Sequence, residues 1–115
     1  EMLLNKYNKK VNVFKYEQVE NPEYKNLKEL FEDGKTEILI KGLFINTKGY
    51  YGDSPVAIAE GYNINLPGHL LDTVKEMLTD SELIEMINND RVGINIYQYT
   101  SKKWGSNYSV NFIEM

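Results

Sequence analysis

The sequence predicts a mostly β, α+β single domain spanning residues 1–115, and three observations carry that expectation. Short runs of apolar and polar residues alternate with period two, most cleanly over Val56–Leu66, Val92–Tyr99 and Tyr108–Phe112. A longer apolar helical face interrupts them in residues 66–90, where Leu70, Leu71, Val74, Met77 and Leu78 recur at spacings of one, three and four. The run Lys35–Asn46 changes the parity of its apolar residues halfway, as a strand does when it turns a corner. In order, the chain reads strand, short helix, strand, strand, helical block, strand, strand. Five strands with the main helix between the third and fourth is the order of an OB-like barrel, a small, partly open Greek-key barrel. An open antiparallel sheet with helices on one face is the alternative.

Residues 1–10 are mixed and read as an arm. Val11, Val13 and Phe14 make the first strand. Asn21-Pro22 reads as N-cap and first helical residue of a helix over 22–33, with Leu27, Leu30 and Phe31 on one face and Gly34 as its stop. In Lys35–Asn46, Ile38 and Ile40 share one parity, and Leu43 and Ile45 the other. A β-bulge at Gly42 lets both pairs face the core. Thr47–Asp53 is a turn. From Val56 the alternation places Val56, Ile58, Tyr62, Ile64 and Leu66 inward, with Ala57, Ala59, Gly61, Asn63 and Asn65 outward; only Glu60 breaks the inward parity. Pro67 opens the helical block. Thr79 and Glu82 have capping-box spacing, so the block divides into two short helices near Thr79 and stops at Asn88-Asn89-Asp90. Val92, Ile94 and Ile96, a turn over Ser101–Asn107, and then Tyr108, Val110 and Phe112 complete a C-terminal hairpin.

A chain of 115 residues buries a core without metal or disulfide support. The absence of cysteine excludes a disulfide framework, a thiolate nucleophile and sulfur-ligated zinc, and fits a reducing cytoplasm. No run approaches the roughly 18 apolar residues of a membrane span, and no signal-peptide pattern opens the chain. The net charge of −4 is unevenly spread. Residues 68–90 carry six acidic side chains against Lys75 alone, so the rest of the chain is close to neutral.

Catalysis finds little support. His69 is the only histidine and has no partner set for a nucleophile or metal, which leaves it a capping or packing role. Asp72, Glu76 and Glu85 repeat at helical spacing, as a solvated face does. Gly49, Gly52 and Gly68 do not form a phosphate loop, because no Lys-Ser or Lys-Thr follows them. The expectation is a non-enzyme without cofactor or metal.

Binding chemistry is better represented. The outward residues Ala57, Ala59, Gly61, Asn63, Asn65, Gly93, Asn95, Ser109 and Asn111 are small and uncharged, a surface that invites a partner or a second copy of the chain. Tyr97 and Tyr99 share that parity. Two turns add cations and aromatics: Lys48, Tyr50 and Tyr51 in one, Lys102, Lys103 and Trp104 in the other. Single-strand binders combine backbone-tracking cations with aromatics on which bases stack. OB folds place such residues in the L12 and L45 loops, and Lys102–Trp104 falls in the second of these. The blander expectation is that the tyrosines pack on the sheet surface and Trp104 folds back on its hairpin. A different binding mode uses Asp72, Glu76 and Glu85 to dock the acidic helical block on a basic protein surface.

The runs KGLFINTKGYYGDSPVAI, NLPGHLLDTVKEML and VGINIYQYTSKKWGSNYSVNFIE resemble small phage- or plasmid-encoded proteins of low-GC Gram-positive bacteria, over roughly residues 35–115. The resemblance transfers no site residue. It implies a mobile-element context, where OB-like single-strand-binding proteins and inhibitors of host defence are both common. The expected function is a cytoplasmic, non-enzymatic module binding single-stranded DNA or RNA. The alternative is an acidic protein-binding or inhibitory module acting on a host protein such as a nucleic-acid enzyme.

Overall fold

The computed structural model describes residues 14–17, 20–49, 52–103 and 105–115. Their elements are β1 (Glu23–Lys25), α1 (Leu27–Glu32), β2 (Glu37–Leu39), β3 (Gly42–Asn46), β4 (Ser54–Ala59), β5 (Tyr62–Asn65), a 3-10 turn (Gly68–Leu70), α2 (Leu71–Met77), α3 (Ser81–Asn88), β6 (Val92–Ser101) and β7 (Gly105–Glu114). Of the first expected strand, Val11 and Val13 lie outside the described residues, and Phe14 belongs to no strand.

The strands divide between two sheets, one ordered β1-β5-β4-β3 and the other β2-β6-β7. Only β1 and β5 pair in parallel; the remaining pairs are antiparallel. This corrects the expected fold: neither a five-stranded OB-like barrel nor one open sheet is formed. The physical reason lies at the parity change in residues 35–46, which is a handover between sheets and not a bulge within one strand. Ile40 still donates its N–H to Val92 O of β6 (3.1 Å), whereas the Lys41 N–H already donates to Ile58 O of β4 (2.6 Å). Strands that switch sheets in this way make the corners of packed sheets. The consequence for burial is the expected one. Ile38, Ile40 and Leu43 are buried, and Ile45 is half-buried against the same core. Gly42 contributes space: a Cβ there would stand 3.1 Å from Ile58 Cδ1 and 3.3 Å from the Phe14 ring.

A second correction concerns Val56–Leu66. The segment is a hairpin, β4 and β5, turning at Glu60-Gly61 with Gly61 at φ 89°. Glu60, the break in the alternation, is the turn itself. Ala59 pairs with Tyr62 and Ala57 with Ile64, so Ala57, Ala59, Tyr62 and Ile64 share the core face with Leu43. Val56 and Ile58 lie on the opposite face with Asn63 and Asn65. Both faces are covered. Ala57, Ala59, Asn63, Gly93 and Ser109, expected on an open surface, are buried; Gly61, Asn65 and Asn111 are exposed, and Asn95 is half-buried.

The helices start where side chains can cap them. Asn26, not Asn21, is the N-cap of α1: its Oδ1 accepts from the Glu29 N–H (2.9 Å) and Glu29 Oε1 accepts from the Asn26 N–H (3.0 Å). Asn21 sits at φ 53°, and β1 takes up Glu23–Lys25 by pairing with β5, which delays the helix past Pro22. Gly34, at φ 80°, ends it as expected. The helical block breaks near Thr79, also as expected, but Asp80 is the cap. Its Oδ1 accepts from the Leu83 N–H (3.1 Å), while the Thr79 hydroxyl donates to Glu76 O (2.7 Å). Leu27 and Leu30 of α1, Val74 of α2 and Ile87 of α3 join Leu43, Ile64, Ile38, Ile94 and Val110 in one core. No described helix is long and apolar enough to cross a membrane.

Candidate functional site

Strands β6 and β7 pair in an unbroken register from Val92↔Glu114 to Ser101↔Gly105. The base of this hairpin belongs to the core through Val92, Ile94, Ile96 and Val110. From Tyr97 to Thr100 every residue is exposed, as are Lys102, Lys103, Gly105 and Ser106. On β7, Asn107 and Tyr108 are half-buried and Ser109 is buried, so the far half is an arm that still touches the core along β7 and clears it toward the tip. Its tip closes with Gly105 at φ 74°, and the Asn107 amide donates to Gly105 O (3.1 Å) and Ser101 Oγ (3.4 Å).

Two residues apart on one strand, Tyr97 and Tyr99 stand on the same face. They are 37% and 39% exposed, with ring centroids 6.0 Å apart and planes tilted by 45°. Tyr108, on the opposite face, behaves differently. Its ring packs 5.4 Å from Phe31 of α1, and its hydroxyl accepts from Gln98 Nε2 (3.4 Å). The arm is also tied at its base. Ser109, opposite Tyr97 in the register, is buried with its Oγ 3.2 Å from His69 Nε2 on the 3-10 turn. The sole histidine, itself exposed, thus meets a buried serine of the hairpin. The sequence signalled neither this link nor the Tyr108–Phe31 contact, because both join residues distant in the chain.

The arm is electrostatically simple. Residues 92–113 contain no Asp or Glu, and their only charges are Lys102 and Lys103 at the tip. Glu114, just beyond, is held by Arg91 at 2.8 Å. Of the residues singled out in the sequence, Tyr97, Tyr99, Lys102 and Lys103 are thus brought onto one hairpin. Lys48 is exposed in the β3–β4 loop, on the other sheet, with its N–H donating to Asn46 Oδ1 (3.0 Å). Tyr50, Tyr51 and Trp104 lie outside the described residues. Asp72 and Glu76 on α2 and Glu85 on α3 are exposed and enter no ion pair among the described residues.

A concavity lies elsewhere. An open groove of about 460 Å³ runs between the outer side of β2 and the β4–β5 turn, lined in part by Lys35, Leu39, Glu60 and Tyr62. Burial pushes the Tyr62 hydroxyl above its usual pKa, against the opposing charge of Lys25, whose Nζ lies 5.5 Å from the ring centroid. The groove's lining contains neither histidine nor a hydroxyl nucleophile beside a base. Among the described residues no group of His, Asp and Glu is placed to hold a metal ion. Comparison with protein-family models, curated proteins and solved structures gives no match to this chain.

Proposed function

We propose that this protein is a non-enzymatic module of a mobile element that binds single-stranded DNA or RNA through the β6–β7 arm, in the cytoplasm. The observation that carries the reading is the pair Tyr97 and Tyr99, exposed on one face of β6 beyond its last core residue, Ile96. Aromatic rings left in water forgo burial that the fold could have used. On this arm they have no carboxylate beside them and two lysines ahead of them. Base stacking on such rings tolerates any sequence, because every base has a π-face. Their 6.0 Å separation is close to twice the ~3.4 Å per-nucleotide rise of a stacked strand. The two rings therefore match alternate bases of a stacked strand, or successive bases of an extended one. A duplex hides those faces within its own stack, so the single strand is the better ligand.

The test is fluorescence anisotropy of labelled oligo(dT) and of a duplex of equal length at low salt. The expected result is preferential single-strand binding that weakens with added salt, with a log–log slope of about −0.7 per phosphate contacted. Absence of single-strand binding up to ~100 μM, the weak end of non-specific affinities, would sink the proposal.

A further inference from the structure

Sheet edges invite pairing with another chain, and proteins blunt them with short strands, charge, proline or bulges. Three of the four edges here follow that rule by length: β1 and β2 have three residues each and β3 has five. The fourth does not. Among the described residues β7 is a ten-residue edge strand with no proline, and its register with β6 has no bulge. Gly105–Ile113 carry no charge, and Glu114 at the end is already held by Arg91.

Hydrogen bonding shows which groups point outward. Met115 donates its N–H to Arg91 O (2.8 Å), whereas Val92 O and the Ile96 N–H serve β2's side, bonding the Ile40 N–H and Thr36 O. Odd-numbered β7 residues therefore face β6. Ser106, Tyr108, Val110 and Phe112 direct their N–H and C=O groups away from it. Among the described residues no other backbone meets those outward groups.

We infer that β7 pairs antiparallel with β7 of a second copy about a two-fold axis, joining two three-stranded sheets into one of six strands. A second copy is the occupant that fits, because a two-fold sets this segment against itself, where charges near the axis would meet their like. Nine uncharged residues meet that requirement. An axis normal to the sheet keeps like faces together, so Tyr97 and Tyr99 of both copies share one side. That last consequence rests on the proposed nucleic-acid reading; the pairing itself does not.

Sedimentation equilibrium without nucleic acid, from micromolar to near-millimolar protein, tests the pairing. The wild type is expected at twice the 13.4 kDa monomer mass. Ser106→Pro removes one outward N–H from an exposed residue, and Asn111→Lys sets like charges close to the axis. Each is expected to give a monomer with an unchanged far-UV spectrum. A monomeric wild type, a mass beyond the dimer, or a folded Asn111→Lys variant that stays dimeric would each overturn the inference. Because no oligonucleotide is present, none of these results bears on binding by the arm, which the anisotropy assay judges separately.

Discussion

Replacing Tyr97 and Tyr99 by alanine separates a binding role from a packing one. If each ring supports one base, each loss costs about 1–3 kcal/mol of binding, which is roughly 5- to 140-fold in Kd. The effect on folding is bounded by the structure. The rings are 37% and 39% exposed and touch each other at 6.0 Å, so either substitution forfeits that contact, worth about 0.5–1.5 kcal/mol, together with the covered part of the ring. Truncating a core neighbour such as Ile94, which is fully buried, costs about 2–5 kcal/mol instead. Because the rings are neighbours, the double variant should lose less than the sum of the singles. Tyr→Phe at either position keeps the π-face and is expected to retain most of the affinity. The assay pairs oligo(dT) anisotropy with thermal melting on each variant. Both alanine variants binding within twofold of wild type would refute the stacking role and leave the tyrosines as surface packing.

Three further outcomes test the fold. Asn26→Ala removes the side-chain bond of the α1 capping box, from the Glu29 N–H, and keeps the backbone N–H that donates to Glu29 Oε1. It should cost about 0.5–2 kcal/mol in chemical denaturation, whereas Asn21→Gly, at φ 53°, should cost nothing or slightly stabilise; the reverse order would place the helix start at Asn21. Gly42→Ala should lower stability by about 1–3 kcal/mol, since its Cβ meets Ile58 and Phe14 at 3.1 and 3.3 Å; an unchanged melting temperature would mean that the packing over the corner is looser than the structure has it. Lys41 donates to Asp90 at 2.8 Å, and that hydrogen bond raises its pKa above the ordinary 10.5. A raised lysine pKa contributes stability that is fully present below 10.5 and lost as pH rises through the folded value. The melting temperatures of wild type and Lys41→Met should therefore converge at pH above that range, and a constant gap would assign the effect of the substitution to packing alone.

Local signals in the sequence survived into the structure where short-range chemistry sets them. The Gly34 stop, the division of the helical block and the C-terminal hairpin each depend on residues within a turn or two of one another. The four apolar residues of 35–46 reach the core as their parity change required, yet the same change is compatible with a bulge or a handover. Only the partners of Ile40 and Lys41, which lie 52 and 17 residues along the chain at Val92 and Ile58, distinguish the two. That ambiguity turned two sheets into an expected barrel. The hairpin at Glu60-Gly61 was hidden for a different reason. Its central strand is apolar on both faces, Val56 and Ile58 on one and Ala57 and Ala59 on the other, so period-two patterning assigns small residues to solvent by default. At the arm, Tyr97, Tyr99, Lys102 and Lys103 were legible because alternation within one hairpin fixes their placement. What holds the arm, His69 on Ser109 and Phe31 on Tyr108, was not.

The division of the β6–β7 hairpin bears on why an arm is there at all. The core takes Ile96 and Val110 from it and, farther out, only the buried Ser109 and the half-buried Tyr108, so a turn soon after Gln98 would complete the fold. Each residue beyond that point is ordered at about 1–2 kcal/mol of backbone entropy, and a two-stranded ribbon returns little of it by burial. The arm is nevertheless fixed, by its unbroken register, by the Asn107 contacts at the tip and by the Gln98–Tyr108 and Tyr108–Phe31 contacts on its inner face. The Tyr108 contacts lie on the face away from Tyr97 and Tyr99, whereas Ser109, met by His69, and Asn107 stand on the same face as the two tyrosines. Rings mounted on a paired strand suit a binding platform, since rings already held in place lose little freedom when a ligand arrives. The acidic side chains gathered in residues 68–90 are absent from this hairpin. On the proposed reading, that separation lets a chain of net charge −4 offer a nucleic acid a surface that does not repel it.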